Sequence, residues 1–545
     1  MKKQSLFHRR NSVADSTVNT NGQKPPIPSP QSDAVSLKTW IGVMGAMLGA
    51  FMAVLDIQIT NSSLQQIDGA IGATQEEGSW ISTSYLVAEI VTIPLTGWLS
   101  QVFSVRWYLV GNSILFLFFS VCCAWSQNLG QMILFRAGQG FTGGVLIPMS
   151  LTIVLTTLPK SKQPIGLALF SITATFAPSI GPTIGGWLTD NLGWEYNFYL
   201  NIVPGILLIA IVFYAINPQP LHLERLKQGD WWGILFMAIG LGALEVVLEQ
   251  GQEYDWFGSK AIQYLTVVAV IFIALFIWVE LTRKQPFINL RLLVRRNFGI
   301  SSVAGLALGL GLYGTVYILP LYLGTIKDYS PLQIGEVIAW SGIPQLFLIP
   351  FVPKLTQRFD IRLVAAVGFS LFAVSCFMNS TMNHDTAIQE LRWSQLVRAL
   401  GQPMMILPLT TIATANIEPQ QAASASSLFN MMRNMGGSLG IAALKTLLTR
   451  REQFHSQRLG EFVTSYSPQT QQRIDQMTQY FTRQGADPTT AHNQALKAIA
   501  NVIHRESYVL AFNDCFYFIA IGILISGLAL LFCKKVKSGG GAVAH

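Results

Sequence analysis

Among the ionisable residues inside long apolar stretches of this chain, four stand out: Asp56, Glu89, Arg136 and Arg433. Burying a charge in lipid is costly, so such a residue points to function by default and calls for a named partner. A carboxyl group in a low-dielectric interior holds its proton more tightly than in water, which brings exchange toward neutral pH. Asp56 and Glu89 are therefore candidate proton carriers. Arginine keeps its charge, so Arg136 is a candidate counter-ion whose contact with a carboxylate depends on protonation or substrate, and Arg433 joins the same set. The competing reading is a static ion pair that locks helices together. Glu245, Asp514 and Glu336 are weaker candidates, each compatible with a helix boundary or a polar interhelical face. Gln139, Tyr313, Tyr317, Phe429, Asn430 and Met432 are candidate substrate-binding residues. For Asn430 and its neighbour Asn434, hydrogen bonding between helices is the alternative.

Other chemistries lack their residues. There is no Gly-rich phosphate loop ending in Gly-Lys-Ser/Thr, no paired Cys or His ligands, and no Ser-centred nucleophile motif. The pattern predicts no enzyme, no metal and no cofactor; transport, if that is the work, runs on an ion gradient. Charged residues make up 12% of the chain and hydrophobic residues 51%, too little polarity to coat a soluble globule of 545 residues. The net charge of +8 sits mainly in short loops, which orients helices in a bilayer and argues against nucleic-acid binding. The five cysteines fall in or beside apolar runs and read as small core residues.

A spanning helix needs about 20 mostly apolar residues, and fourteen such runs are present: 39–60, 79–100, 107–126, 130–157, 164–187, 197–216, 231–249, 261–280, 298–323, 332–352, 362–381, 393–415, 426–449 and 508–533. Arg106, Lys160, Arg225, Arg291, Lys354 and Arg362 then fall on one side, which the positive-inside rule makes cytoplasmic. Both termini are expected there. Residues 1–37 read as a disordered cytoplasmic tail, and 534–545 as a second tail.

The stretch Ile93 to Arg106, IPLTGWLSQVFSVR, returns as IPFVPKLTQRFDIR at Ile349 to Arg362. Arg136-Ala137, followed by Gln139, Gly140 and Pro148, is echoed by Arg398-Ala399, followed by Gly401, Gln402 and Pro408. These pairings predict an all-α polytopic membrane protein with two pseudo-symmetric six-helix halves, 38–217 and 298–533, separated by two inserted helices in 218–297. A site between the halves near the bilayer midplane is expected. Arg106 and Arg362 anchor a cytoplasmic hinge in each half. Gly181, Pro182, Gly185 and Gly186, with Gly436, Gly437 and Gly440 in the partner helix, predict close-packed faces between the halves. The one long polar segment, 450–507, is expected outside as a couple of surface helices broken at Asp487-Pro488.

Leu55-Asp56 with Asn61, the Gly97 to Arg106 loop, Arg136-x-x-Gln139-Gly140, Gly181-Pro182-x-x-Gly185-Gly186 and the Ala425 to Asn430 entry before Arg433 together resemble the major facilitator superfamily, in its fourteen-helix drug/proton antiporter branch of EmrB type. Gln101 departs from the acidic residue usual in the loop motif, so that loop reads as a mechanical joint. The resemblance implies efflux of amphiphilic drugs or toxic small molecules, coupled to inward proton flow, across a bacterial inner membrane. It also implies a periplasmic adaptor (membrane fusion) protein and an outer-membrane channel as partners. Alternatives are an exporter of one endogenous metabolite, such as a fatty acid, siderophore or lipid-like compound, and a non-transporting membrane scaffold.

Overall fold

A computed structural model describes residues 35–536 except 228, 284, 285, 416 and 465. The expected tails lie outside these residues for 1–34 and 537–545. Among the described residues there are helices, turns and loops and no strand, as lipid requires, since a helix satisfies its own backbone. The long helices are α1 (Leu37–Ser62), α2 (Gln75–Phe103), α3 (Val105–Ala124), α4 (Leu129–Thr157, with a break at Gly144), α5 (Gln163–Asn191), α6 (Ile202–Ala215), α7 (Trp231–Gln250), α8 (Lys260–Thr282), α9 (Arg296–Lys327), α10 (Pro331–Leu348), α11 (Ile361–Asn379), α12 (Ile388–Thr414), α13 (Ala422–Phe462) and α14 (Pro488–Ala529). Polar caps set many of their starts. Thr74 and Glu77 form a reciprocal capping box on α2, Ser330 and Gln333 do so on α10, and Asp230 accepts from Gly233 N–H at the start of α7.

Among the described residues, thirteen of these helices are long and apolar enough to span a membrane. The exception is α13, which carries Asn430, Arg433, Asn434 and Lys445. It tolerates them because it lies in the interior, packed on α9, α14, α2 and α4 rather than on lipid. By contrast α8, which is strongly apolar, has few buried residues and touches mainly α7. Buried apolar side chains gather into two large clusters, one from α1 and α3 to α6, the other from α9 to α14 with α7, α8 and part of α2. The fold is thus two six-helix halves with α7 and α8 inserted between them in sequence.

Equivalent helices make equivalent contacts. Gly185 of α5 lies so close to α1 that an added Cβ would meet the Ile59 carbonyl at 2.9 Å, and Gly181 faces Gln58. Gly436 of α13 faces the Leu306 backbone of α9, and Gly440 would meet Leu310 Cα at 2.8 Å. The glycine faces therefore close helix pairs inside each half, not between halves, because the small residues sit where two backbones of one half cross. Between halves, α5 packs on α10, with Ser179 against Gly342 and Thr183 against Gly335. At the hinge end, Gly97 of α2 lies against the Ala423 backbone, and Ser426 of α13 donates to the Pro148 carbonyl at 2.8 Å.

The repeated hinges also match. The first joins α2 to α3 through Ser104 alone, at φ 61°; in the second α10 is continued by a 3-10 turn, Ile349–Phe351, and a short helix, Val352–Arg358, and Phe359-Asp360 joins that helix to α11. Arg106 lies 4.0 Å from the centre of the Phe213 ring at the end of α6. Arg362 donates to the Cys533 carbonyl at 2.8 Å, beyond the end of α14, and to Asp360 at 2.7 Å, which holds that carboxyl below its usual range. Both arginines thus tie the third helix of a half to the end of its sixth. Gln101 accepts from Arg225 at 3.0 Å.

The long polar segment breaks at Asp487-Pro488 as expected, but its flanking helices reach further than expected. Asp487 caps α14 through the Thr489 and Thr490 N–H groups, so the break at Asp487-Pro488 is a helix start, and that helix runs unbroken into the membrane. Likewise α13 continues to Phe462. With 41 and 42 residues, each is roughly 60 Å long, about twice the hydrocarbon core. Charged pairs join them side by side: Asp514 accepts from Arg451 at 2.6 Å and meets His455 at 2.7 Å, and Glu452 meets His504 at 2.7 Å. Polarity ended the apolar runs at 449 and 508 but did not end the helices. A separate helix, Pro468–Arg483, lies against α14.

Substituting Gly436→Ala is expected to destabilise the purified protein by about 1–3 kcal/mol through overpacking against Leu306. Gly111→Ala, where an added Cβ meets nothing within 4 Å, is expected to be neutral or slightly stabilising. Thermal melting in detergent compares the two, and equal melting temperatures would refute the close approach of α9 and α13.

Candidate functional site

Two constellations emerge from the ionisable residues, at different places. The first lies inside one half. Asp56 of α1 receives Arg136 Nη1 at 2.8 Å, Gln139 Nε2 at 3.0 Å and Asn201 Nδ2 at 2.6 Å. Arg136 also donates to Gln139 Oε1 at 2.7 Å, and Ser120 accepts from both Gln139 and Asn201. Arg136 and Gln139 are three apart on α4, hence on one face. Arg136 stacks 4.3 Å from the Tyr85 ring centre. Asp56 and Arg136 are each 1% exposed. This is a buried pair with most of its polar atoms satisfied by hydrogen bonds, the condition under which such a pair is tolerated at all.

The second constellation lines a cavity of about 860 Å³ between the halves. Its walls come from α1, α2 and α5 on one side and α9, α10 and α13 on the other, with α7 closing it. Glu89 of α2, Glu245 and Glu249 of α7, and Asn434 and Ser438 of α13 face it among apolar and aromatic residues that include Leu86, Tyr313, Tyr317 and Pro320. Asn434 Nδ2 donates to Glu89 at 3.3 Å and Ser438 Oγ to Glu245 at 2.5 Å, so α13 holds one carboxylate of α2 and one of α7. No lysine or arginine is among the described lining residues. The α1–α2 connection, including Gln65, Asp68 and Ala73, lines the far end. Helix parity puts that end on the same side as the projecting ends of α13 and α14. The hinge end is closed by the α2–α13 and α4–α13 contacts.

Of the residues singled out from sequence, Glu89, Tyr313 and Tyr317 stand on the cavity wall, as does Pro182. Asp56, Arg136 and Gln139 belong to the enclosed network instead; Gln139 is fully buried by Asp56 and Ser120 and does not face the cavity. Phe429 packs under Gly305, Asn430 donates to the Ser426 carbonyl at 2.9 Å, and Met432 packs in the core of its half, so these three also lie off the wall. Arg433 is 3% exposed and lies beneath the cavity beside Tyr313. Gly181, Gly185 and Pro182 stand on the face of α5 turned to α1 and the cavity, and Arg106 and Arg362 at the hinges. Glu336 is exposed. Glu249 and Gln58 were not singled out. Glu245 and Glu249 are four apart, which puts both on one helical face, and that spacing was the available signal.

Among the described residues no group of three or more His, Cys, Asp or Glu side chains is placed to hold a metal ion.

The model for the Major Facilitator Superfamily matches residues 46–441, and the chain is 33% identical over 504 residues to the multidrug export protein EmrB of Escherichia coli, covering 91% of this chain and 96% of that one. The chain belongs to the major facilitator superfamily. Within that superfamily it falls in the EmrB-type branch. It is 32% identical to the colistin resistance protein EmrB of Acinetobacter baumannii over 92% of this chain and 97% of the relative. It is 33% identical to the fatty acid resistance protein FarB of Neisseria gonorrhoeae over 91% and 96%. Among solved structures, the superfamily's proton:xylose symporter XylE aligns with a TM-score of 0.59 at 13% identity, covering 92% of this chain and 97% of that one, which shows the shared fold. This major facilitator protein is a multi-pass membrane transporter and not an enzyme.

Two measurements follow from the geometry. Replacing Asp56 or Arg136 singly by Leu is expected to cost about 3–5 kcal/mol, since each leaves an uncompensated buried charge, while Asp56→Leu with Arg136→Met recovers much of the loss. Melting of the three variants decides whether the pair acts as one unit. Asp68, outside the spans, is buried against Gly78, with Oδ1 unbonded among the described residues, and burial pushes its carboxyl up to about 6. The folded state then holds this proton more tightly than the unfolded chain, so its contribution to stability is lost as pH rises from about 4 through 6. Asp68→Asn is expected to melt above wild type at pH 7.5, the gap closing below pH 4.

Proposed function

We propose that this protein exports amphiphilic small molecules, with a preference for cations, across the bacterial inner membrane by alternating access driven by inward proton flow. The observation that carries this reading is the cavity between the halves, walled by aromatic and apolar side chains, with Glu89, Glu245 and Glu249 on its surface and no basic residue among its described lining. An apolar cation gains both hydrophobic burial and a carboxylate partner there. A proton arriving at the same carboxylate removes the charge that holds the cation, so the two compete for one group in a medium that disfavours uncompensated charge. Glu89 suits this exchange because it faces the cavity and is tied to α13 by a single long hydrogen bond from Asn434.

Asp56 and Arg136 fit a different role. Enclosed as they are, they respond to the movement of α1 against α4, and protonation of Asp56 would loosen Arg136 from α1 and bias the switch. Arg433, under the cavity floor, is the basic group through which the state of Glu89 reaches α9 and α13. The cavity extends toward the side of the projecting α13 and α14 ends, and the distribution of basic loops supports reading that side as the outer one. Those ends supply a surface for a periplasmic adaptor, through which an outer-membrane channel would complete the pump. The names of the E. coli and A. baumannii relatives, multidrug export and colistin resistance, agree with this reading. The FarB name suggests a second one, export of an anionic amphiphile such as a fatty acid; the acidic wall argues against the ionised form as cargo.

Proteoliposomes with an imposed pH gradient test it. A lipophilic monocation such as tetraphenylphosphonium is expected to move against its gradient with counterflow of protons. Glu89→Gln is expected to lower that rate at least tenfold, about 1.4 kcal/mol. Transport of oleate but not of the cation would favour the fatty-acid reading, and movement of neither would sink both.

A further inference from the structure

Arg398 of α12 is the repeat counterpart of Arg136, but its surroundings are not equivalent. In the first half Arg136 and Gln139 together clasp the Asp56 carboxylate. In the second half Arg398 and Gln402, four apart and so on one helical face, have no such acid: among the described residues no carboxylate lies within 4 Å of Arg398, nor of Arg433. Both guanidinium groups are more than nine-tenths buried, at 6% and 3% exposure, and the Nε of each lacks a hydrogen-bond partner among the described residues. Rings lie beside both, Phe372 at 5.4 Å and Phe170 at 5.9 Å from the guanidinium carbons, and Glu89 acts on Arg433 only from beyond ion-pair distance. Arginine does not shed its proton to escape this cost. Two such charges in one bundle interior call for a counter-ion.

A second, small cavity of about 20 Å³ lies against both arginines. Gln402 is on its wall, and its Oε1 is occupied by Gln345 Nε2 at 2.8 Å, which turns the Gln402 amide so that N–H is the group left to offer. Tyr313 and Val316 line both this cavity and the large one. No Asp or Glu is on the described wall. We propose that this cavity is a binding site for a small monovalent anion, chloride in kind, held by Arg398, Arg433 and Gln402 in the place that the Asp56 carboxylate takes in the other half. The volume admits one particle about the size of a water molecule, which suits a halide and excludes sulfate. Val54 of α1 and Ala174, Pro178 and Ser179 of α5 stand on the facing wall. The two arginines and Gln402 come from one half and the facing wall from the other, so the anion is enclosed only while the halves meet here, and its binding favours this arrangement over one in which they part.

The test uses the full chain purified in detergent at constant ionic strength, with gluconate exchanged for chloride. A saturable rise in melting temperature on the order of 2 °C is expected with chloride, matched by bromide and not by sulfate. Crystals grown in bromide are expected to show an anomalous peak within hydrogen-bonding reach of Arg398 and Arg433. Arg398→Gln is expected to abolish the halide-specific shift. Should that variant misfold, Gln402→Leu keeps both charges and is expected to raise the half-saturating chloride concentration about tenfold through loss of one charge-assisted hydrogen bond. A melting temperature unchanged when chloride replaces gluconate, with water and no anomalous peak between the arginines, would overturn the assignment. So would a halide shift that Arg398→Gln leaves intact.

Discussion

Charge that cannot leave the bilayer interior has to be answered there, and the Asp56–Arg136 pair is the fullest answer in this protein. Its polar atoms are taken up by Gln139, Asn201 and Ser120, drawn from α4, α6 and α3 as well as α1. One ionic contact therefore sets the relative rotation of four helices. Once α1 is held against α4, its opposite face presents Gln58 and Ile59 to the glycines of α5, and Ile57, Gln58 and Asn61 are turned toward the large cavity. The enclosed network and the cavity wall are two faces of one helix.

The cavity owes its acidity to an unexpected source. Two of its carboxylates come from α7, one of the two inserted helices, which packs on α2 and α13 and so reaches between the halves. The insertion is part of the working interior. Its partner α8 has few buried residues and packs mainly on α7, and the Asp230–Arg283 pair at 2.5 Å ties the start of α7 to the end of α8. α13 then connects everything: it gives Asn434 to Glu89, Ser438 to Glu245 and Arg433 to the floor. A helix with that many polar contacts is too hydrophilic to face lipid, which explains why it alone fails the apolarity expected of a span.

Much of the architecture was legible in the residues. Apolar runs marked the spans, the doubled Ile93 to Arg106 string marked the two halves, and the rarity of charge in the spans drew attention to Asp56, Glu89, Arg136 and Arg433. Legibility failed where orientation mattered. Gln139, Phe429, Asn430 and Met432 were in the right helices on the wrong faces for the cavity, and Glu249 was passed over although it follows Glu245 by one turn. Polar composition was read as an end of α13 and α14, whereas those helices continue past the membrane because water ends a span without ending hydrogen bonding along a helix.

The sequence by itself determined which segments enter the membrane, that the chain repeats, and that some charges are buried, because these depend on transfer free energy and on residue order, both local properties. Only the tertiary structure decided which way each helix is turned. In a soluble protein the water-facing side announces itself; in a bilayer both lipid and protein interior are apolar, so the rotation of a helix about its axis is set by backbone approach at glycines and by the few polar contacts between helices. That is why Arg136 finds an acid and its counterpart Arg398 does not, although the two stand in near-identical strings.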